Sequence, residues 1–290
     1  MKPDRQFRRG LVQLFLKTAT GLCAAVACAV LAVILYSIVS RGWSSLSWRF
    51  FTEQIRLVGA DGGIFYNLVG TVILIGTACA VSTPFSIGIA ITHSVILRKS
   101  RHRSKFTLLL YLLNGVPSVL FGIFGMVIFV SWLGWGKSWL TGGILLGFMI
   151  LPTITVALIE RIAAIPRLQI EAATALGLGR SMVIRSVILP QSLGALVTGS
   201  LIGLARAAGE TAPIMFTATV FAGATLPSGV KESPVLSLPY HIFVLAQDSF
   251  DPSVAAKLWG TALTLLIFVF SLSLAALPAR LKLHQPARHD

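Results

Sequence analysis

The sequence predicts an all-α, polytopic integral membrane protein with six transmembrane helices. Hydrophobic residues make up 55% of the 290 residues and charged residues only 12%, about half the charged share of a typical soluble domain. The apolar residues collect in runs of the length that crosses a bilayer, which takes about 20 residues each. The lysines and arginines lie in short clusters between these runs, a pattern typical of the inner loops of membrane proteins.

Six apolar runs are predicted to cross the membrane, and they divide the chain. The predicted spans are Thr18–Ser40, Tyr66–Leu97, Phe106–Trp132, Leu140–Glu160, Leu193–Ala222 and Ala256–Leu277. The first span, at 18–40, follows a basic N-terminus at 1–17 and exceeds the apolar core of a signal peptide, so it is expected to stay attached. An extracytoplasmic segment at 41–65 leads into a core at 66–277, and a basic tail occupies 278–290.

The distribution of positive charge predicts the orientation of the chain in the membrane and argues against nucleic-acid binding. Most of the 24 lysines and arginines fall in segments that are cytoplasmic if the N-terminus is inside, five of them within Arg98–Lys105. Both termini are therefore expected in the cytoplasm. The net charge of +14 does not indicate nucleic-acid binding, because the basic residues form no continuous patch with interleaved aromatics. The cysteines lie singly in apolar runs, so no disulfide, metal or other cofactor is expected.

The outer segments carry aromatic and turn residues. Trp43, Trp48, Phe50 and Phe51 are expected to anchor the first outer segment at the membrane interface. The long outer segment Gly223–Ala255 contains an apolar stretch too short to span. It is expected to form a half-helix or a surface helix, and one possible role is a lid against the lipid headgroups.

The third predicted span contains polar residues and helix breakers. Asn114 and Ser118 lie on either side of Pro117. An unpaired polar group costs several kcal/mol in lipid, so these side chains are expected to face other protein or a cavity.

The fifth predicted span carries two charges, Arg206 and Glu210, four residues apart and therefore on one helix face. Each charge alone would cost at least about 2.5 kcal/mol at mid-bilayer. Gly209, Thr211 and Pro213 adjoin the pair and are expected to kink the helix and free a carbonyl group. These features predict a substrate-facing site, and the alternative is a buried ion pair that only holds helices in register.

The segment Glu171–Pro190 is too polar to span and too apolar for a simple solvated loop. Alanine and leucine favour helix on both sides of Gly177 and Gly179, which permit a tight turn. The segment is predicted to form helix, turn and second short amphipathic helix, an arrangement that usually docks onto a partner.

Several motifs together resemble a known family. The pattern Glu-Ala-Ala, three residues, Gly, nine residues and an aliphatic ending before Leu189-Pro190 is similar to the EAA loop of ABC importer permeases. Asn114–Ser118, Ala205–Pro213 and Ser237–Pro239 resemble the A-type permease subunit of phosphate importers. The resemblance covers roughly 51–277.

The resemblance implies a type I ABC permease fold and a set of partners. The partners are a cytoplasmic ATP-binding subunit dimer, a second homologous permease subunit and an extracytoplasmic phosphate-binding protein, with phosphate as the cargo. The implied coupling residues are Glu171, Ala172, Ala173, Gly177, Leu189 and Pro190. The predicted substrate-path residues are Arg206, Glu210, Thr211, Asn114 and Ser118. The chain lacks a phosphate-binding P-loop motif, so it is expected to be a permease and not an enzyme.

Three alternatives stay open at this point. An ABC permease for another oxyanion or a polar solute would share the EAA loop. A secondary transporter driven by ions would place ionisable groups at mid-membrane but would usually show internal repeats, and none is visible. A membrane-embedded hydrolase would need a nucleophile with a base, or a metal cluster, and neither is visible.

Overall fold

The computed structural model describes residues 3–56, 61–98, 100–221, 223, 226–247, 251–275 and 277–278. Apart from position 278, the predicted tail at 278–290 lies outside these residues. The described α-helices are α1 (Pro3–Gly42), α2 (Trp48–Thr52), α3 (Phe65–Ile91), α4 (His102–Gly115), α5 (Ser118–Gly125), α6 (Trp139–Ala163), α7 (Arg167–Ala175), α8 (Arg180–Val183), α9 (Leu189–Ala208), α10 (Ala212–Thr217), α11 (Leu238–Gln247) and α12 (Pro252–Ala275). Two short antiparallel strands, β1 (Ile55–Arg56) and β2 (Asp61–Gly62), form a hairpin.

Five described helices are long and apolar enough to cross a membrane. They are Val12–Ser45, Phe65–Ile96, Trp139–Ala163, Arg180–Ala208 and Pro252–Ala275. A sixth candidate is the pair His102–Gly115 and Ser118–Trp132, whose two halves meet at a bend of 91°. The all-α, polytopic architecture predicted from the sequence is therefore confirmed.

The centre of the bundle is formed by α3, α6 and α9, which pack closely because glycines line their contacts. A Cβ atom at Gly143 of α6 would lie 2.5 Å from Thr77 of α3, and one at Gly203 of α9 would lie 3.2 Å from Ile150 of α6. Small residues allow helices in lipid to approach this closely. In contrast, the apolar window of α1 has no buried residue, and α1 packs mainly on α12.

Two of the spans are broken where the sequence removes backbone hydrogen bonds. Between α4 and α5, Val116 adopts an extended conformation, as a residue before proline tends to do. The fifth predicted span was expected to be one kinked helix, but α9 ends at Ala208 and α10 begins only at Ala212. Pro213 cannot donate the hydrogen bond that a continuous helix would need there.

The end of the bundle that the sequence predicts to face outward is capped by α2, the hairpin and α11, which together are called the outer cap. Phe50 is buried against Ile64 and Leu238, so the expectation that Phe50 anchors the chain at the membrane interface is wrong. The Lys257 ammonium group also lies over the Phe50 ring, 5.6 Å from the ring centroid. Trp43 and Trp48 are exposed.

Candidate substrate path and coupling element

Arg206, Asn114 and Glu210 come together where the two broken spans meet. The Arg206 Nη1 atom donates a hydrogen bond to Asn114 Oδ1 over 3.0 Å. The Arg206 Nε atom lies 3.8 Å from Glu210 Oε1. Arg206 belongs to the last turn of α9, and Glu210 lies beyond the end of that helix. The sequence predicted that the pair lies within one continuous helix. In the structure the pair instead lies across the break.

Close packing of α5 on α10 brings the two breaks side by side. A Cβ atom at Gly122 of α5 would lie 2.9 Å from the Ala212 carbonyl oxygen and 3.1 Å from Pro213 Cα. Only glycine allows this approach, which brings α5 against the start of α10. Asn114 at the end of α4 is thus placed opposite Arg206, although 92 residues separate them in the chain.

The cluster is open and its guanidinium group is only partly paired. The Arg206 side chain is 38% exposed and that of Glu210 is 18% exposed. Arginine carries five N–H donors, and one of them is bound to Asn114. The cluster therefore offers further hydrogen-bond donors and a positive charge to an incoming group.

The remaining predicted path residues lie at the same breaks without joining the hydrogen-bonded cluster. Ser118 is the first residue of α5, and Thr211 directly precedes α10. Both are half-buried. The Thr211 carbonyl accepts a hydrogen bond from Met215 N. Among the described residues, no group of three His, Cys, Asp or Glu side chains could hold a metal ion.

The coupling element predicted at 171–190 begins as the sequence suggested, with helix α7, a tight turn and helix α8. Gly177 has a φ of +81°, a conformation that glycine adopts without strain. The turn is closed by a hydrogen bond of 3.2 Å from Leu178 N to Ala173 O. Ala173 is buried, whereas Glu171 and Ala172 are exposed. Ala173 thus packs α7 onto the bundle, whereas Glu171 and Ala172 face outward.

The second half of the element differs from the prediction. No short helix ends at Pro190, because Arg180–Ala208 forms one continuous helical stretch of 29 residues. Leu189 and Pro190 lie in the first turn of α9. Pro190 has no backbone N–H to donate. A π-helical segment at Ile184–Ile188 directly precedes this turn, and its altered hydrogen-bond pattern accommodates the proline. These two residues belong to the span and not to the loop.

A polar contact that the sequence analysis missed ties α7 to α9. Gln191 Nε2 donates to Gln169 Oε1 over 2.8 Å, and Arg161 Nε donates to the Gln191 carbonyl over 3.0 Å. The sequence carries no signal for it, since 22 to 30 residues separate the partners.

Comparisons with known proteins agree with this architecture. Residues 82–282 match the family described as binding-protein-dependent transport system inner membrane component. The chain is 32% identical over 286 residues to the phosphate transport system permease protein PstA 2 of Mycobacterium bovis, covering 93% of this chain and 91% of that protein. It is 26% identical over 267 residues to the probable ABC transporter permease protein YqgI of Bacillus subtilis, covering 88% and 90%.

Among solved structures, an inward-facing form of the MetNI methionine ABC transporter shares the fold. The TM-score is 0.56 at 16% identity, and the match covers 77% of this chain and 95% of that chain. The resemblance to phosphate importer permeases that the motifs suggested is confirmed by the PstA relatives. The chain belongs to the family of binding-protein-dependent transport system inner membrane components, the multi-pass permease subunits of ABC importers.

Proposed function

We propose that this chain is one of two permease subunits of an ATP-driven importer for inorganic phosphate, and that Arg206 contacts the anion on its path. The observation that carries the proposal is the partly paired Arg206 guanidinium, held by Asn114 where two broken helices meet. The similarity to phosphate transport permeases supports the choice of substrate.

The chemistry of the cluster suits an oxyanion. Guanidinium presents a planar fork of donors that matches phosphate oxygens. The carboxylate of Glu210 compensates Arg206 while the path is empty, and its distance of 3.8 Å is that of a weak contact that an anion can replace. A protonated phosphate can also donate a hydrogen bond to Glu210.

The exposure of the cluster supports a second subunit. A charge facing lipid at mid-bilayer costs at least about 2.5 kcal/mol, so the exposed side of Arg206 and Asn114 belongs against water or protein. A second homologous permease subunit would form the other wall of the path. It would also supply further positive charge, since one arginine cannot neutralise a dianion.

The coupling element is proposed to dock onto a dimer of cytoplasmic ATP-binding subunits. Leu176, next to the turn, is an apolar side chain that is 82% exposed, and Glu171, Ala172 and Gly177 lie on the same exposed segment. The continuous helix Arg180–Ala208 runs from this element to just beyond Arg206, over about 43 Å at 1.5 Å per residue. Movement of the ATPase would reach the substrate path through one rigid helix.

On the outer side, an extracytoplasmic phosphate-binding protein is proposed to dock on the cap near α11. The family description, which specifies binding-protein-dependent transport, supports such a partner. With this partner outside, both termini and the coupling element would lie in the cytoplasm of a multi-pass inner membrane protein.

The test of substrate and site is uptake of labelled phosphate into proteoliposomes that contain the chain and its purified partners. Wild-type uptake is expected to need ATP and to be unaffected by excess sulfate. Arg206→Ala is expected to lower uptake about 100-fold, the size of effect that removal of one anion-stabilising donor has in enzyme sites. Arg101→Ala, on the predicted cytoplasmic loop, is the control for loss of an arginine elsewhere.

Each other outcome has a distinct meaning. Uptake of a different solute would keep the ABC permease role and reject phosphate as the cargo. Uptake that needs an ion gradient but no ATP would support the secondary-transporter alternative. Wild-type uptake by the Arg206→Ala protein would reject the role of Arg206.

The test of coupling compares Gly177→Asp with Gly179→Asp. Both glycines are exposed and have open space around them, but only Gly177 has a positive φ, whereas that of Gly179 is −65°. Gly177→Asp is expected to insert normally and to lose stimulation of ATP hydrolysis by substrate, while Gly179→Asp keeps it. Equal coupling in the two variants would reject the docking role of the turn.

A further inference from the structure

A second basic site lies away from the substrate path, in a cavity of about 490 Å³ behind the coupling element. Its walls come from the end of the α3 span, the start of α4, the end of α6, and α7 and α8. Four arginines line it from separate elements, namely Arg98, Arg103, Arg167 and Arg180. Among the described residues, no aspartate or glutamate lines this cavity.

The four guanidinium groups have no described counter-charge. The ion pairs of the described chain are Arg49–Glu53 and Arg206–Glu210, so these four arginines lie more than 4.0 Å from every described carboxylate. Like charges that share a cavity repel one another. An arrangement of this kind is stabilised when an anion enters and pairs with them.

We propose that this cavity binds one phosphate group, carried either by an anionic lipid headgroup or by free inorganic phosphate. Guanidinium forks are donors that suit phosphate oxygens. Basic pockets between transmembrane helices on the cytoplasmic side are known to hold lipid headgroups. The site is distinct from the Arg206 cluster, so the proposal does not depend on which solute is transported.

The position of the cavity gives the bound anion a structural consequence. Arg167 and Arg180 are the first residues of α7 and α8, whereas Arg98 and Arg103 follow the α3 span. A phosphate group bound by both sets links the coupling element to α3. Occupancy of the site therefore sets how firmly α7 and α8 are held against the bundle.

The experiment measures binding to the delipidated complex of the chain with its partners. Native mass spectrometry counts bound phosphatidylglycerol, and equilibrium dialysis measures labelled inorganic phosphate. The test protein carries Arg98→Gln and Arg180→Gln, one from each wall. The matched control carries Arg101→Gln and Arg185→Gln, which are neighbours in the same two regions but do not line the cavity. All phosphate measurements use an Arg206→Ala background and omit the extracytoplasmic binding protein, so that neither the substrate path nor that partner contributes.

The test protein is expected to lose affinity about tenfold or more for one probe, while the control stays within about twofold of the parent. Loss confined to phosphatidylglycerol identifies a lipid headgroup, and loss confined to inorganic phosphate identifies the free anion. Equal binding of both probes by the test and control proteins would overturn the proposal. If the double variant does not assemble, Arg98→Gln alone is compared with Arg101→Gln. Weaker binding by Arg98→Gln supports the proposal, and equal binding by the two variants overturns it. Rejection of phosphate as the cargo would leave the lipid measurement unaffected.

Discussion

The hydroxyl group of Thr71 and the guanidinium group of Arg206 contrast in how completely they are hydrogen-bonded. At the outer cap, the Thr71 hydroxyl donates to the Asn67 carbonyl over 2.7 Å and accepts from Leu238 N over 2.9 Å, and Thr71 is only 2% exposed. At the helix breaks, Arg206 is more than a third exposed and uses few of its donors. The Thr71 hydroxyl joins two segments 167 residues apart, and the Arg206 guanidinium leaves hydrogen-bonding capacity for another molecule.

This difference distinguishes polar groups that hold a membrane protein together from polar groups that remain available to another molecule. A buried polar group that is fully paired stabilises the fold, and its loss costs stability. A partly paired charge at a helix break stabilises little and has donors available for another molecule. Changes at the outer cap should therefore alter stability, and changes at the breaks should alter transport.

The largest stability effect is expected from protonation of His241 at the outer cap. Burial, and then the charge of Lys257, lower the pKa of His241 to about 4. The unfolded chain, with a pKa near 6.5, takes up the proton first, so stability is full above pH 6.5 and is lost as the pH falls towards 4. The loss amounts to about 3 kcal/mol.

The measurement is the apparent melting temperature of the purified protein in neutral detergent between pH 7.5 and 4. His241→Gln removes the titrating group, so its melting temperature should fall less over this range than that of the wild type. Parallel curves for the two proteins would show that His241 does not govern acid stability.

The next effect is expected where the outer cap meets α3. A Cβ atom at Gly70 would overlap the Leu236 carbonyl oxygen and lie 3.2 Å from Val235 Cβ. Gly70→Ala should therefore cost about 2 kcal/mol through forced displacement of α3 from this segment. Gly76 lies six residues further along α3 with nothing within 4 Å, so Gly76→Ala should leave the melting temperature unchanged or raise it.

Both alanine variants change the helix propensity of α3, but only Gly70→Ala disturbs a close contact between α3 and the 235–238 segment. The difference between their melting temperatures therefore measures the effect of that contact. Equal melting temperatures would mean that α3 and the 235–238 segment do not pack as tightly as the structure indicates. Transport per inserted Gly70→Ala protein should stay close to wild type, since the Arg206 cluster is untouched.

The sequence predicted the elements whose signal is local. Apolar runs gave the spans, and Gly177 gave the turn after α7, because the positive φ of that turn favours glycine. Arg206 was recognised because a charge in an apolar run is costly. Local signals of this kind do not depend on what packs against them.

The contacts between distant segments could not be predicted in the same way. The pairing of Asn114 with Arg206 depends on the 91° bend and on the approach of α5 to α10 at Gly122. A proline and a glycine indicate a break but not the direction in which the chain continues. The start of the fifth span was also misplaced, since Pro190 is compatible both with a helix end and with the first turn of α9.

The smallest effect is expected at Asn114, and it sharpens the contrast between the clusters. Asn114→Ala removes the hydrogen bond that orients the Arg206 guanidinium. A hydrogen bond to a charged group contributes about 1.5 kcal/mol, so uptake should fall about tenfold. The melting temperature should not change, because Asn114 is exposed.

Asn114→Asp keeps the acceptor atom but adds a negative charge. It should transport less than Asn114→Ala because the added charge repels the oxyanion. If Asn114→Asp instead transported like wild type, Asn114 would only position Arg206, and the anion would not approach this face of the cluster.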